Sequence, residues 1–96
     1  MRTRRVFKYS CDLDDKFTLS LPVGAEILTV QAQHGMPILW ALVDPKQPLE
    51  ERYFRLAGTG HPIMYDMGSE YNYIGTFQLH GGSLIFHLFE MNNKLM

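Results

Sequence analysis

Ninety-six residues, 46% of them hydrophobic, are enough for one small packed core and too apolar for a disordered chain. Nine basic residues against ten acidic ones exclude the strong cationic surplus that a general nucleic-acid binder needs. One cysteine, Cys11, excludes an intrachain disulfide and a thiolate zinc site; no apolar run is long enough for a signal peptide or a membrane span, so the expected setting is the cytoplasm.

In chain order, Arg4-Arg5-Val6-Phe7-Lys8-Tyr9 mixes aromatic, β-branched and cationic residues as an edge strand does. The basic cluster Arg2, Arg4 and Arg5 reads as part of a solvated terminal strand. Residues 11–16 form a polar turn, and Phe17-Thr18-Leu19-Ser20-Leu21 alternates with the period of a half-buried strand. Pro22 ends it and Gly24 permits a bend. In the next strand, residues 27–33, Leu28, Val30 and Ala32 are expected on one face and Thr29, Gln31 and Gln33 on the other. His34-Gly35 predicts a tight hairpin turn. The return strand over residues 37–43 is apolar on both faces and is therefore expected to lie centrally, covered on both sides, until Pro45 and Pro48 stop it.

Residues 49–56 admit two readings. Glu50, Glu51, Arg52 and Arg55 fit a helical turn, whereas Tyr53-Phe54-Arg55-Leu56-Ala57 reads better as a strand entering Gly58-Thr59-Gly60. Residues 61–68 look like a loop. Tyr71–Leu79 and Leu84–Met91 predict two strands joined by His80-Gly81-Gly82-Ser83, with Ile74, Phe77, Leu79, Leu84, Phe86 and Leu88 supplying much of the apolar surface, though not all on one face. Residues 92–96 are expected to fray. The prediction is an all-β single domain over residues 1–96, with its core at about 4–91: a small antiparallel β-sandwich or barrel of about seven strands.

The chemistry-bearing residues are sparse. His34, His61, His80 and His87 show no metal-ligand spacing, and no Gly-x-Ser-x-Gly elbow is present. The thiol of Cys11 is flanked by Asp12, Asp14 and Asp15, which disfavour a thiolate nucleophile. Of the carboxylates that could pair for acid–base work, Glu26, Asp44, Glu50, Glu51, Asp66 and Glu70 are expected in turns, and only Glu90 on a strand. The reading leans away from an enzyme, and no metal or cofactor is expected. Gly58-Thr59-Gly60-His61 is the most suggestive loop, because glycines allow close backbone approach and exposed N–H groups can cradle an anion; the structural alternative is a plain turn or bulge.

Arg52 and Arg55 precede this loop, and Arg55 lies about 10 Å from it at about 3.3 Å per extended residue, within reach of its long side chain. His61 would add a hydrogen bond. The competing expectation is a surface pair between Arg55 and Glu50 or Glu51. A second candidate face is the neutral stripe of Thr29, Gln31 and Gln33, with Trp40 across the hairpin as a stacking surface or as plain core.

Four segments carry a resemblance: Leu21-Pro22-Val23-Gly24-Ala25-Glu26-Ile27-Leu28, Leu39-Trp40-Ala41-Leu42-Val43-Asp44-Pro45, Gly58-Thr59-Gly60-His61-Pro62-Ile63, and the run from Tyr73 to Glu90 containing Gly75-Thr76-Phe77-Gln78-Leu79-His80-Gly81-Gly82. Together, from about Phe7 to Glu90, they resemble a family of short bacteriophage and prophage proteins labelled as a domain of unknown function. The resemblance brings no catalytic residues. It implies a context, since small stand-alone phage proteins more often serve host takeover or counter-defence, by binding, than metabolism.

The resulting expectation is a non-catalytic binding protein in the host cytoplasm that sequesters a small anionic ligand, such as a signalling nucleotide, through Arg52, Arg55, Gly58, Thr59, Gly60 and His61. Gln31, Gln33 and Trp40 form the second candidate surface. The alternative is an inhibitor or adaptor that binds a host defence protein through a sheet edge or face; a small hydrolase ranks third. Exposed sheet edges in so small a β-protein lead to the further expectation of a homo-oligomer.

Overall fold

Short alternating segments punctuated by glycine and proline satisfy their backbone groups across strands rather than within helices. The computed structural model describes residues 3–63 and 70–92. It contains β1 (Arg5–Ser10), β2 (Lys16–Pro22), β3 (Glu26–Gln33), β4 (Met36–Val43), β5 (Leu49–Gly58), β6 (Tyr71–Leu79) and β7 (Leu84–Met91). All pairings are antiparallel, in a three-stranded sheet of order β1-β4-β3 and a four-stranded sheet of order β2-β5-β7-β6. The fold is a β-sandwich. Residues 49–56, open to two readings in the sequence, belong wholly to the ten-residue strand β5, so Glu50 and Glu51, like Glu26 at the start of β3, are strand residues and not turn carboxylates. The loop expected at 61–68 and the tail at 92–96 fall largely outside the described residues.

The core lies between the sheets. Leu39, Ala41 and Val43 project from the central strand β4 and are fully buried, as are Leu21, Phe54 and Leu88 from the other sheet. Phe17 and Phe54, opposite each other in the β2–β5 register, stack at 5.2 Å between ring centroids. Each such side chain contributes about 1.5–3 kcal/mol by leaving water. The β6–β7 hairpin adds buried Phe77, Leu79 and Leu88 and half-buried Ile74 and Phe86; Leu84, in the last pair before the turn, is exposed.

Turn chemistry follows the sequence closely at His34-Gly35, where φ is +53° and +77°. Two positive φ values in a two-residue loop match the twist of the strands it joins. The β6–β7 connection is longer, a tight turn over His80–Gly82 with positive φ at all three residues.

Two bulges shape the place where the sheets converge. The β3–β4 register shifts at Leu28 and the β6–β7 register shifts at Ile74. The extra residue breaks the period of two, so Leu28 is 44% exposed while Val30 is buried; Ala32, beyond the bulge, keeps the parity of Val30 and is exposed near the end of the strand. A Cβ on Gly75 would stand 3.0 Å from Cγ1 of Val30, so any other residue there would require Val30 to give way by a few tenths of an ångström where β6 approaches β3.

Candidate functional site

Arg52 and Arg55 sit three residues apart on β5 and therefore project to opposite faces of the sheet. Arg52 points inward. Its Nε and Nη2 donate to the two carboxylate oxygens of Glu90 on β7, at 2.5 and 2.9 Å, and its Nη1 donates to the carbonyl of Ala25 at 2.8 Å. The two side chains are only 19% and 14% exposed. This bidentate pair ties β5 and β7 to the start of β3, across the two sheets. The Glu90 hydrogen bond raises the Arg52 pKa; burial opposes it, and the charges of Glu90 and Glu50 reinforce it.

Arg55 points outward and is engaged as fully. Its Nη1 donates to the carbonyls of Asp15, at 3.1 Å, and of Leu56; its Nη2 donates to the carbonyl of Pro62 at 3.1 Å. The Asp15 carboxylate is 3.7 Å away, and the Arg55 side chain is 11% exposed. The partner of Arg55 is thus Asp15, brought alongside by the β2–β5 register, and not Glu50 or Glu51. One guanidinium holds the entry to β2, its own strand and the segment after β5.

Gly58-Thr59-Gly60-His61 closes on itself. The His61 N–H donates to the Gly58 carbonyl at 3.0 Å, and Gly60 has φ +87°. A Cβ on Gly58 would lie 2.9 Å from the His61 ring, so this glycine makes room for the chain's own imidazole. The Thr59 N–H donates to the Ile85 carbonyl at 3.2 Å, prolonging the β5–β7 ladder.

Thr59 leads to an arrangement that the sequence did not reveal. Its Oγ1 shares a hydrogen bond with Nε2 of His87 at 2.7 Å; Nδ1 of His87 shares one with Oγ1 of Thr76 at 2.8 Å; and Thr76 shares a third with the Tyr73 hydroxyl at 2.5 Å. Phe89 lies beside this chain, with Tyr71 and Tyr73 packed edge-on against it. His87 stands in register with Ala57 on one side and Thr76 on the other, which puts these side chains on one outer face. Both imidazole nitrogens are held by hydroxyls. Among the described residues no carboxylate orients the ring in the way one does in a Ser-His-Asp triad.

The second candidate set assembles on the opposite side of the molecule. Thr29 lies directly opposite Trp40, Gln31 opposite Ile38 and Gln33 opposite Met36, all on the outer face of β1-β4-β3. Lys8, opposite Trp40 on its other side, places Nζ 5.9 Å from the centroid of the indole and donates to Oε1 of Gln33 at 3.3 Å. Trp40 is half-buried, with Val6 and Met36 exposed near it. Among the described residues no strand or helix covers this face, so β4 is central within its sheet but is not covered on both sides, as its two apolar faces suggested. The structure therefore unites Gln31, Gln33 and Trp40, separates them from Arg55 and the Gly58–His61 turn, and leaves Arg52 between the sheets.

Clefts occur at strand ends. One of about 400 Å³ lies among Arg4, Val23, Asp44 and Gln47, and one of about 290 Å³ lies at the paired bulges, where Leu28, Ile74 and Tyr73 flank the Arg52–Glu90 pair. Cys11 is buried, and its thiol is pushed up to about 12, first by burial and then by the charge of Asp12. It offers no thiolate near neutrality. Among the described residues no group of three His, Cys, Asp or Glu side chains is placed to hold a metal, and no helix is long and apolar enough to cross a membrane.

Neither a curated protein nor a solved structure matches the chain. Residues 2–95 do match a family described as Domain of unknown function (DUF7352), and the chain belongs to that family.

Proposed function

We propose that this member of the DUF7352 family is a non-catalytic binding protein of the phage counter-defence kind, and that it recognises a partner protein on the outer face of β1-β4-β3. One observation carries the reading: Trp40 stands in an uncovered sheet face with Thr29 opposite it and Gln31 and Gln33 along the same neighbouring strand. Neutral amides and a hydroxyl supply donors and acceptors without a charge to desolvate. An aromatic ring and methionine beside them are the residue types enriched at protein interfaces.

The sheet face is open, whereas small-molecule sites are concave and enclose most of their ligand. That favours a protein surface over a nucleotide. Sequestration of an anion also asks for an unengaged guanidinium, and Arg52 and Arg55 are held by Glu90 and by main-chain carbonyls.

Site-resolved photo-crosslinking in bacteria producing the protein tests this. A benzoylphenylalanine replacing Gln31 is expected to yield a discrete protein adduct. The same replacement at Thr18, on the outer face of the other sheet opposite Tyr53, is expected to yield none. Equal adducts at both positions would overturn the reading. So would a rise in melting temperature with a linear or cyclic nucleotide when neither position forms an adduct.

A further inference from the structure

The pairing of β1 decides which of its backbone groups are left over. The Cys11 N–H donates to the Pro37 carbonyl at 3.1 Å, and this pair continues the β1–β4 register in which Tyr9 faces Leu39, Phe7 faces Ala41 and Arg5 faces Val43. In an antiparallel ladder, hydrogen-bonded and non-hydrogen-bonded pairs alternate. Arg5, Phe7 and Tyr9 therefore bond to β4, while Val6, Lys8 and Ser10 direct their N–H and C=O groups away from it, to the free edge of the sheet. That edge is about 20 Å long at about 3.4 Å per residue.

Among the described residues the edge lacks the protections of a bulge, a proline or a covering strand: its register with β4 is unbroken and β1 ends the sheet. Val6 is 55% exposed and Phe7 39%. Its charge is of one sign. Arg4 pairs with Glu26 at 3.7 Å, but neither Arg5 nor Lys8 has a carboxylate at ion-pair distance among the described residues. Lys8 and Val6 also belong to the Trp40 face, standing opposite Trp40 and Leu42.

We propose that β1 accepts an extended acidic segment of the partner as an added antiparallel strand, continuous with the Trp40 face; this rests on the binding reading above. The backbone groups of Val6, Lys8 and Ser10 supply the ladder. Lys8 on the outer side and Arg5 on the inner side supply the preference for Glu and Asp in the incoming strand. A second copy of this chain fits worse, because pairing β1 with itself gathers Arg4, Arg5 and Lys8 from two chains along one seam, and like charge on an edge opposes self-pairing.

The test uses an acetylated Glu-Val-Glu-Val-Glu-Val peptide and its Lys-Val counterpart, read by amide exchange and chemical shifts in the full chain. The Glu peptide is expected to protect the amides of Val6, Lys8 and Ser10, to bind at least about tenfold more tightly than the Lys peptide, and to weaken with salt. Val6→Pro removes a free-edge donor and no bond to β4, so it is expected to abolish peptide binding with the melting temperature nearly unchanged. Binding that survives Val6→Pro, that ignores the sign of the peptide, or that maps away from β1 overturns the inference. A dimer that Val6→Pro converts to monomer overturns it as well, since the occupant is then a second copy. The Gln31 crosslink separates the two readings: its persistence without peptide binding sinks only the edge proposal, and its absence with peptide binding intact sinks only the face.

Discussion

On the outer face of the four-stranded sheet Arg55 reaches three main-chain carbonyls and His87 is held by hydroxyls on both sides. On the outer face of the three-stranded sheet Gln31 has no hydrogen-bond partner among the described residues, and Gln33 receives only Lys8. Both faces carry aromatic rings and polar groups, so composition does not distinguish them. Internal engagement does. Polar groups that satisfy one another hold a fold together, and polar groups left to water are available for exchange with a partner.

The largest expected effect tests the core beneath both faces. Phe54→Ala removes a fully buried ring stacked on Phe17 and is expected to cost about 4 kcal/mol in urea unfolding, whereas Phe86→Ala, at a half-buried position, is expected to cost about 2–3 kcal/mol. Equal costs would mean that the β6–β7 hairpin carries as much of the core as the β2–β5 pair.

The comparison itself is tested by one substitution on each face. Arg55→Ala removes a donor from three carbonyls, of which that of Asp15 keeps the Leu56 N–H at 2.9 Å, and is expected to cost about 1–2 kcal/mol. Gln31→Ala is expected to change stability by less than about 0.5 kcal/mol. If the two variants melt alike, the distinction between an engaged face and an available one fails.

The smallest effect at neutral pH comes from Cys11, buried in the core. Its folded-state pKa of about 12 lies above the ordinary 9.0, so between those values the folded chain retains a proton that the unfolded chain releases. Stability is then unaffected below about pH 9 and falls as pH rises beyond it, by up to about 1.4 kcal/mol per unit. Tyr9, also raised by burial, adds to the same fall at higher pH. Cys11→Ala is expected to flatten the urea midpoint just above pH 9; an unchanged slope would show that the thiol is not the group responsible.

The strands themselves were readable along the chain, because period-two alternation and Gly-Pro punctuation are local signals. His34-Gly35 shows how far such signals extend: a two-residue turn sets the register of β3 on β4, and so places Gln33, Gln31 and Thr29 opposite Met36, Ile38 and Trp40. The second candidate face was legible in the sequence for that reason. The Thr59–His87–Thr76–Tyr73 chain was not. It draws on three strands, and the bulge at Ile74 shifts the parity of β6 midway, so that Tyr73 and Thr76 share a face although three residues separate them.

By itself, the sequence determined the strand content, the central position of β4, the tight turn after β3 and the company of Gln31, Gln33 and Trp40, since each depends on residues only a few positions apart. Tertiary structure alone decided the fate of the arginines. Arg52 meets Glu90 across 38 positions and Arg55 meets Asp15 across 40, because β5 lies between β2 and β7 in its sheet. Strand order is a property of how whole apolar faces pack together, and no local spacing encodes it.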